Sequence, residues 1–414
     1  MVSAVEGETS APVMAEKFVS TMPADSKLRA REIKRVILEE EAKVRAAYPV
    51  LNHQDAIGLA IFAGSLALHA TAAYYYLTGV AAWYVVVPVI AFAASLLHEL
   101  EHDLIHNQYF KGQKWFQNFM FTMIWISKCH ANPWWRRDIH HWHHRVSGQK
   151  NDIEERTIGL GMEIGWKRLG VVLHPQGFVR IVKDVKADAG DAMDLSYMNR
   201  GSLLPSTIIM VSMKLMMIAS VLRFLGLIEA EGLYTVATSM TVLIIAPMIL
   251  RQSCLVAMST SSHYYGDIPE NNVYFQNQIL NHWSLYPFQA FCWGFGGTHI
   301  IHHYVPNQPF YLRSMIATPV WDEMIRQGVR NNDFGTMLRA NRWNIKESQQ
   351  KMAGLAAMLW FSSVIVFMSF FAYVYDVVVT PTLIKVLVLM LTGGKGKKTT
   401  VSLQDRMAMP EKNE

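Results

Sequence analysis

Five long apolar runs, at residues 56–77, 79–97, 204–228, 233–250 and 354–375, constrain this chain more than any other feature. Each is near the ~20 residues that a helix needs to cross the hydrocarbon core of a bilayer. A backbone in hydrocarbon finds no water, so its N–H and C=O groups must bond within the segment, and helices result. About half of the 414 residues are hydrophobic, and their concentration into runs, not an even spread, marks a membrane protein. Two shorter runs, 116–127 and 286–295, fall below spanning length and read as interfacial or re-entrant helices.

Charge orients the spans. Little more than Thr78 and Gly79 joins the first two, and the EAEG stretch at 229–232 joins the next pair without a lysine or arginine. Lys27, Arg29, Arg31, Lys34 and Arg35 crowd the N-terminal segment, and more basic residues follow Leu97. By the positive-inside rule both segments lie in the cytosol. The first twenty residues lack the apolar core of a secretory signal. Cys129, Cys254 and Cys292 are too few for a disulfide scaffold.

Histidine is the second constraint. The stretch DIHHWHHRVSG carries His140, His141, His143 and His144; LLHELEHDLIHN carries His98, His102 and His106; GTHIIHHYVPNQPFY carries His299, His302 and His303. These clusters hold ten of the sixteen histidines, which is more than solvated runs or separate core rings explain. On a helix, residues four apart share a face with Cβ atoms about 5–6 Å apart, close enough to share an ion. One first-row metal takes roughly four to six ligands, so eight or more imidazoles suit two metals. HELEH matches the zinc-protease pattern, with Glu99 as the base, but the HxxHH clusters argue against that chemistry. His98 falls at the cytosolic end of the second span, and the fourth span returns the chain to the same side before His263 and His299. A cytosolic cap therefore holds every cluster.

These residues resemble the integral-membrane fatty acid desaturases and their relatives, which carry three histidine boxes. HELEH (His98, His102) looks like the first box, HHWHH the second through His140, His143 and His144, and HIIHH the third through His299, His302 and His303. Gly297, Thr298, Pro306, Pro309 and Tyr311 strengthen the third match, and SSHYYGD is similar to the segment around a lone histidine, here His263. The likeness covers roughly residues 55–315. It implies two iron ions held by those nine histidines, dioxygen as co-substrate, a fatty acyl substrate and electrons from a separate ferredoxin or cytochrome b5. Two departures stand out. Acyl-CoA desaturases have an asparagine at the position of Ser259, and HELEH looks closer to alkane hydroxylases than to the HDxxH of acyl-lipid desaturases. His106 and His141 are spare members of their boxes, expected as ligands or as partners of ligands. Glu99, Glu101, Asp103, Asp152, Glu154 and Glu155 are the carboxylates available to orient metal-bound imidazoles.

The expected fold is an all-α integral membrane protein: four core transmembrane helices, a C-terminal helical hairpin and a cytosolic helical cap around a di-metal site. Its divisions are a cytosolic segment 1–54, the membrane domain 55–315, a cytosolic helical segment 316–350 and a hairpin with a basic tail 351–414. The expected reaction is desaturation of an acyl chain; hydroxylation or alkene-forming decarboxylation is the alternative on the same scaffold. A metal carrier would line its path with polar groups at membrane depth, whereas these histidines gather outside the spans. Nothing points to nucleic acid. The location is an inner membrane or the endoplasmic reticulum, depending on the cell.

A fifth crossing at 354–375 would leave the basic GGKGKK, at 393–398, on the far side, against the positive-inside rule. Residues 383–391 give a short return path. A reporter active only in the cytosol, fused after Glu414, is expected to be active; silence in well-expressed, inserted protein would place the tail outside.

Overall fold

The computed structural model describes residues 18–19, 22–129, 131–173, 181–194, parts of 208–227, and 231–346. The expected span 204–228 is described only in part, at 208, 211, 214–215 and 217–227, and 354–375 and 383–391 lie wholly outside the described residues. Apart from a two-residue antiparallel pair, Phe18–Val19 (β1) with Ile345–Lys346 (β2), and two isolated bridges, the described residues form helices and loops.

Helix α1 (Ser26–Ala47) is held by salt bridges one turn apart, Arg29 to Asp25 and Arg45 to Glu41. It buries Ile33 and Ile37 in a cluster with Ile316, Val320 and Met324. Helices α2 (Gln54–Leu77) and α3 (Trp83–Ile105) follow as long neighbours joined by a turn. Gly79 occupies the left-handed region there (φ 76°), which delays the second helix from its expected start at 79 to Trp83. Helix α3 continues beyond Leu97, where the apolar run ends, as far as Ile105, so one rod carries His98 and His102 and ends with His106 as its cap.

The run expected at 116–127 is helix α4 (Lys114–Lys128), which turns Met120, Phe121 and Ile124 into a cluster with Leu97, Leu100 and Leu104 of α3. Three short helices, α6 (Ile153–Thr157), α7 (Trp166–Leu173) and α8 (Val182–Ala189), follow the histidine-rich α5 (Pro133–Val146). Helix α9 (Glu231–Met240) passes through a π-helical turn, Thr241–Ile245, into α10 (Ala246–Ser262). The span expected to stop at 250 thus continues to the residue before His263. At 286–295 only Tyr286–Gln289 (α11) is helical before the chain turns at Trp293 and Gly294, both with positive φ; the expected interfacial helix is reduced to one turn. Helices α12 (Phe295–Tyr304) and α13 (Phe310–Arg326) complete the described fold, and α13 runs across the boundary expected at residue 315.

Among the described residues, three helices are long and apolar enough to cross a membrane: α2, α3 and the continuous Thr235–Ser262. Of these, α2 buries the least, so its apolar side chains are available to lipid, while α3 and Thr235–Ser262 are largely enclosed by protein. The enclosed pair ends where the histidines collect.

Candidate metal centre

Local sequence sets each histidine-bearing element. Asn132 caps α5 by accepting from the backbone N–H groups of Trp134 and Trp135, and Pro133 sits at the first helical position. The helix then turns His140 and His143 inward and His141 outward. Asp152 caps α6 through the Glu155 N–H and also accepts from the Gly148 N–H at 2.9 Å. Gly148 has φ 76°, and a Cβ there would lie 2.4 Å from the Tyr264 carbonyl oxygen. Only glycine lets the chain turn this tightly from α5 toward α6. Gly297 does similar service for α12: its missing side chain leaves room for the Trp321 ring, whose Nε1 donates to the Gly297 carbonyl at 2.8 Å.

Two groups of four imidazoles result. His102, His106, His140 and His302 offer nitrogens within 4.8 Å of one another, and so do His143, His263, His299 and His303. Neighbouring Nε2 atoms stand 3.0 Å apart in the pair His303–His299 and 3.3 Å apart in His299–His263 and His143–His303. A metal–nitrogen bond of about 2.0–2.1 Å implies ligand separations of about 3 Å, so this spacing fits a coordination shell. Both ring nitrogens of buried His102 lack any hydrogen-bond partner, a costly state that a cation would relieve. His144 joins the groups: its Nε2 is 3.1 Å from that of His140 and 2.8 Å from that of His302, and its ring lies 5.0 Å from that of His303.

The outer nitrogens are mostly held. His143 Nδ1 meets Asp152 at 2.9 Å, His140 Nδ1 meets Glu154 at 2.6 Å and His303 Nδ1 meets Gln276 at 3.0 Å. His263 Nδ1 donates to the Ser259 carbonyl at 2.8 Å, leaving Nε2 toward His299. Such partners fix which nitrogen faces a metal. Ser259, at the asparagine position of the acyl-CoA desaturases, donates its hydroxyl to Glu155 at 2.8 Å, and Glu155 Oε2 lies 3.4 Å from His263 Nδ1.

Electrostatics keep most of these rings neutral. Burial, then the neighbouring imidazoles, push His140, His144, His299, His302 and His303 well below the usual histidine range. Burial also takes His106 down to about 2 and His263 to about 3. His143 is the exception: burial alone would lower it, but contact with Asp152 overrides that and raises it to about 9.

In the first box the histidines that come together are not those of HELEH. His98 joins neither group; Lys128 Nζ lies 3.2 Å from its Nδ1 and Arg136 Nη2 lies 3.1 Å from its Nε2. His106, expected as a ligand or the partner of one, stands in the first group. The reason is helical: His98, His102 and His106 lie on one stripe of α3, and the stripe meets the other boxes one turn later than HELEH suggests. The two histidines that enter the group are those of HDLIH, 102–106, which has the HDxxH pattern. His141 is exposed, its ring 5.4 Å from that of His106, and it is outside both groups. Glu99 is 3.5 Å from Arg313, and Glu101 binds Lys128 and Arg136, so neither is hydrogen-bonded to an imidazole. Gln276 and Arg313 escaped sequence reasoning. Arg313 donates to His302 Nδ1 at 2.8 Å and to Asp103 at 3.1 Å, but amides and arginines carry no spacing signal that marks them as partners of a ligand.

Comparison with known proteins places this site in context. A family model described as fatty acid desaturase matches residues 80–335, more than half of the chain, with every histidine of both groups inside the match. No curated protein matches the chain.

Replacing His106 with Ala is expected to lower bound metal by about one ion per chain, whereas His98→Gln retains the full content, both read by elemental analysis of purified protein. Metal uptake carries a pH signature as well. His143 is protonated at pH 7 and must release that proton to ligate, so affinity of its group should rise about tenfold per pH unit until about pH 9. The His106 group, already neutral, should show no such rise. Calorimetry in buffers of different ionisation enthalpy reads the released proton, and Asp152→Asn should abolish it.

Proposed function

The chain belongs to the fatty acid desaturase family, and from that premise we propose that it is an oxygen-dependent di-iron desaturase of fatty acyl chains. Family membership makes it broadly an oxidoreductase of desaturase or hydroxylase type, acting on a fatty acyl substrate in a membrane context. The observation that carries the finer reading is the pair of four-imidazole groups joined through His144. Nine imidazoles without a thiolate suit iron among other metals, and the family supplies the choice of iron.

Removing hydrogen from an unactivated alkyl carbon is beyond side-chain acid–base chemistry; the bound metals would supply oxygen activation and accept electrons. The protein's own residues do the rest. Asp152, Glu154 and Gln276 hold His143, His140 and His303 by their outer nitrogens, and the Ser259 carbonyl holds His263. Burial of seven of the eight grouped rings excludes bulk water from the reacting carbons. The Asp103–Arg313 pair ties α3 to α13, so that the His102 and His302 rings stay 4.2 Å apart.

The position of His102 and His106 in one group supports desaturation over hydroxylation. With HDLIH as the ligating frame, the likeness of HELEH to alkane hydroxylases no longer bears on the metal. In this reading the ligand set is His102, His106, His140, His143, His144, His263, His299, His302 and His303. The chain crosses the membrane several times with the site on the cytosolic side, and a separate ferredoxin or cytochrome b5 delivers the electrons.

Mass spectrometry of products from cells fed labelled fatty acids tests the reaction. Two hydrogens lost per chain is the expected result. One oxygen gained would mean hydroxylation, and a terminal alkene one carbon shorter would mean decarboxylation.

A further inference from the structure

One turn before the first histidine group lies a second buried polar cluster that the catalytic reading does not use. Its centre is His98, four residues and about 6 Å of helix before His102. Lys128, with a fully buried side chain, donates to Glu101 at 2.5 Å, and Arg136 donates to the same carboxylate at 2.8 Å. Both cations also point at His98, one at each ring nitrogen. A neutral imidazole accepts at one nitrogen only, so the ring satisfies one of them.

Arg251 adds a third cation. It sits within the apolar helix Thr235–Ser262, is 1% exposed, and uses one nitrogen, Nη2, on Gln252 at 2.7 Å. Its Nε and Nη1 are buried without any partner. The charged groups acting on it are Arg136, Glu101, Glu99 and Lys128, and Glu99 lies beside Arg313. Lys128 and Arg136 thus share Glu101, Arg136 also lies 3.7 Å from Glu154, and Arg251 has no bonded carboxylate. An unpaired guanidinium in an apolar span is costly enough to imply an anionic partner. Arginine's fork matches a carboxylate in a bidentate pair. Leu250, next to Arg251, packs against two apolar clusters, one that holds Val242 and Ala246 and one that holds Leu255 and Phe288, so apolar surface flanks the cation.

We infer that Arg251, with Lys128 and Arg136, binds the carboxylate of an unesterified long-chain fatty acid, which makes the free acid the form of substrate this chain accepts. The inference rests on the reading of an acyl substrate given above. A thioester or ester carries no charge at that carbon and leaves Arg251 unpaired.

The test is equilibrium binding of hexadecanoate and of methyl hexadecanoate to the metal-loaded full chain in detergent, without reductant, by calorimetry. The acid is expected to bind at least about tenfold more tightly, as a charge-assisted hydrogen bond implies. Arg251→Met should bring the acid to the level of the ester with metal content unchanged, and Arg251→Lys should restore part of the preference. Equal binding of acid and ester by the unaltered protein overturns the proposal, a comparison that stands even if Arg251→Met does not fold. So does a preference that survives Arg251→Met, or acetate displacing hexadecanoate at equal concentration, which would mean an adventitious anion only. Because no turnover is involved, intact acid preference without any oxidised product would overturn the catalytic reading alone.

Discussion

Eight imidazoles around two points, seven of them buried, can coexist only if nearly all are uncharged, and the rest of the structure serves that condition. Low dielectric and mutual repulsion hold the rings neutral, which is the protonation state a metal ligand needs. Neutral rings still require their second nitrogen to be satisfied. Asp152 and Glu154 at the start of α6, Gln276 and the Ser259 carbonyl do this from three places in the chain. The carboxylates serve a second purpose, because they bring negative charge to a place that would gain positive charge on loading. His143 shows the balance: contact with Asp152 at its outer nitrogen raises its pKa against the effect of burial.

That arrangement depends on helices that do not stop at the edge of the apolar region. Helix α3 carries its register from Trp83 through His102 without a break, and α10 delivers His263 at its cap. An interruption in either would rotate a ligand off the common axis, since one residue turns a helix by about 100°. Asp103 is the tie between these rods and the third box. It accepts from Tyr109, from the Phe310 backbone and from Arg313, so the loop after α3 and the start of α13 are fixed on one carboxylate. Gly58 allows this: a Cβ there would lie 2.5 Å from the Tyr109 ring, so a larger residue would push the tyrosine off Asp103.

Much of this was legible in the sequence, for physical reasons that differ by element. The apolar runs at 56–77, 79–97 and 233–250 marked helices because length and hydropathy suffice for a span. The second and third boxes were legible because HxxHH fixes both spacing and face. The first box was ambiguous because three histidines at four-residue intervals satisfy the same geometric rule twice, and only the height of the other boxes decides between the frames. The short run at 286–295 misled because apolar content is needed there to pack against Leu255 and Met258, not to extend a helix. Gln276 and Arg313 were illegible because a partner of a ligand is defined by tertiary position alone.

The displaced histidine also separates two tasks that the sequence merges. HELEHDLIH reads as one metal-binding run, yet its first turn faces Lys128 and Arg136 while its second faces imidazoles. Glu101 and Asp103, two residues apart, divide the same way: one neutralises cations from α4 and α5, the other anchors α13. A single helix thus passes from a cation-rich layer to a histidine layer within about 6 Å. A cation-rich layer would repel a loaded metal site if it were left unbalanced, and Glu101 and Glu154 stand between the two. Glu154 makes the coupling direct, since it accepts from His140 and lies 3.7 Å from Arg136. Charge placed in one layer is therefore felt in the other through a single carboxylate.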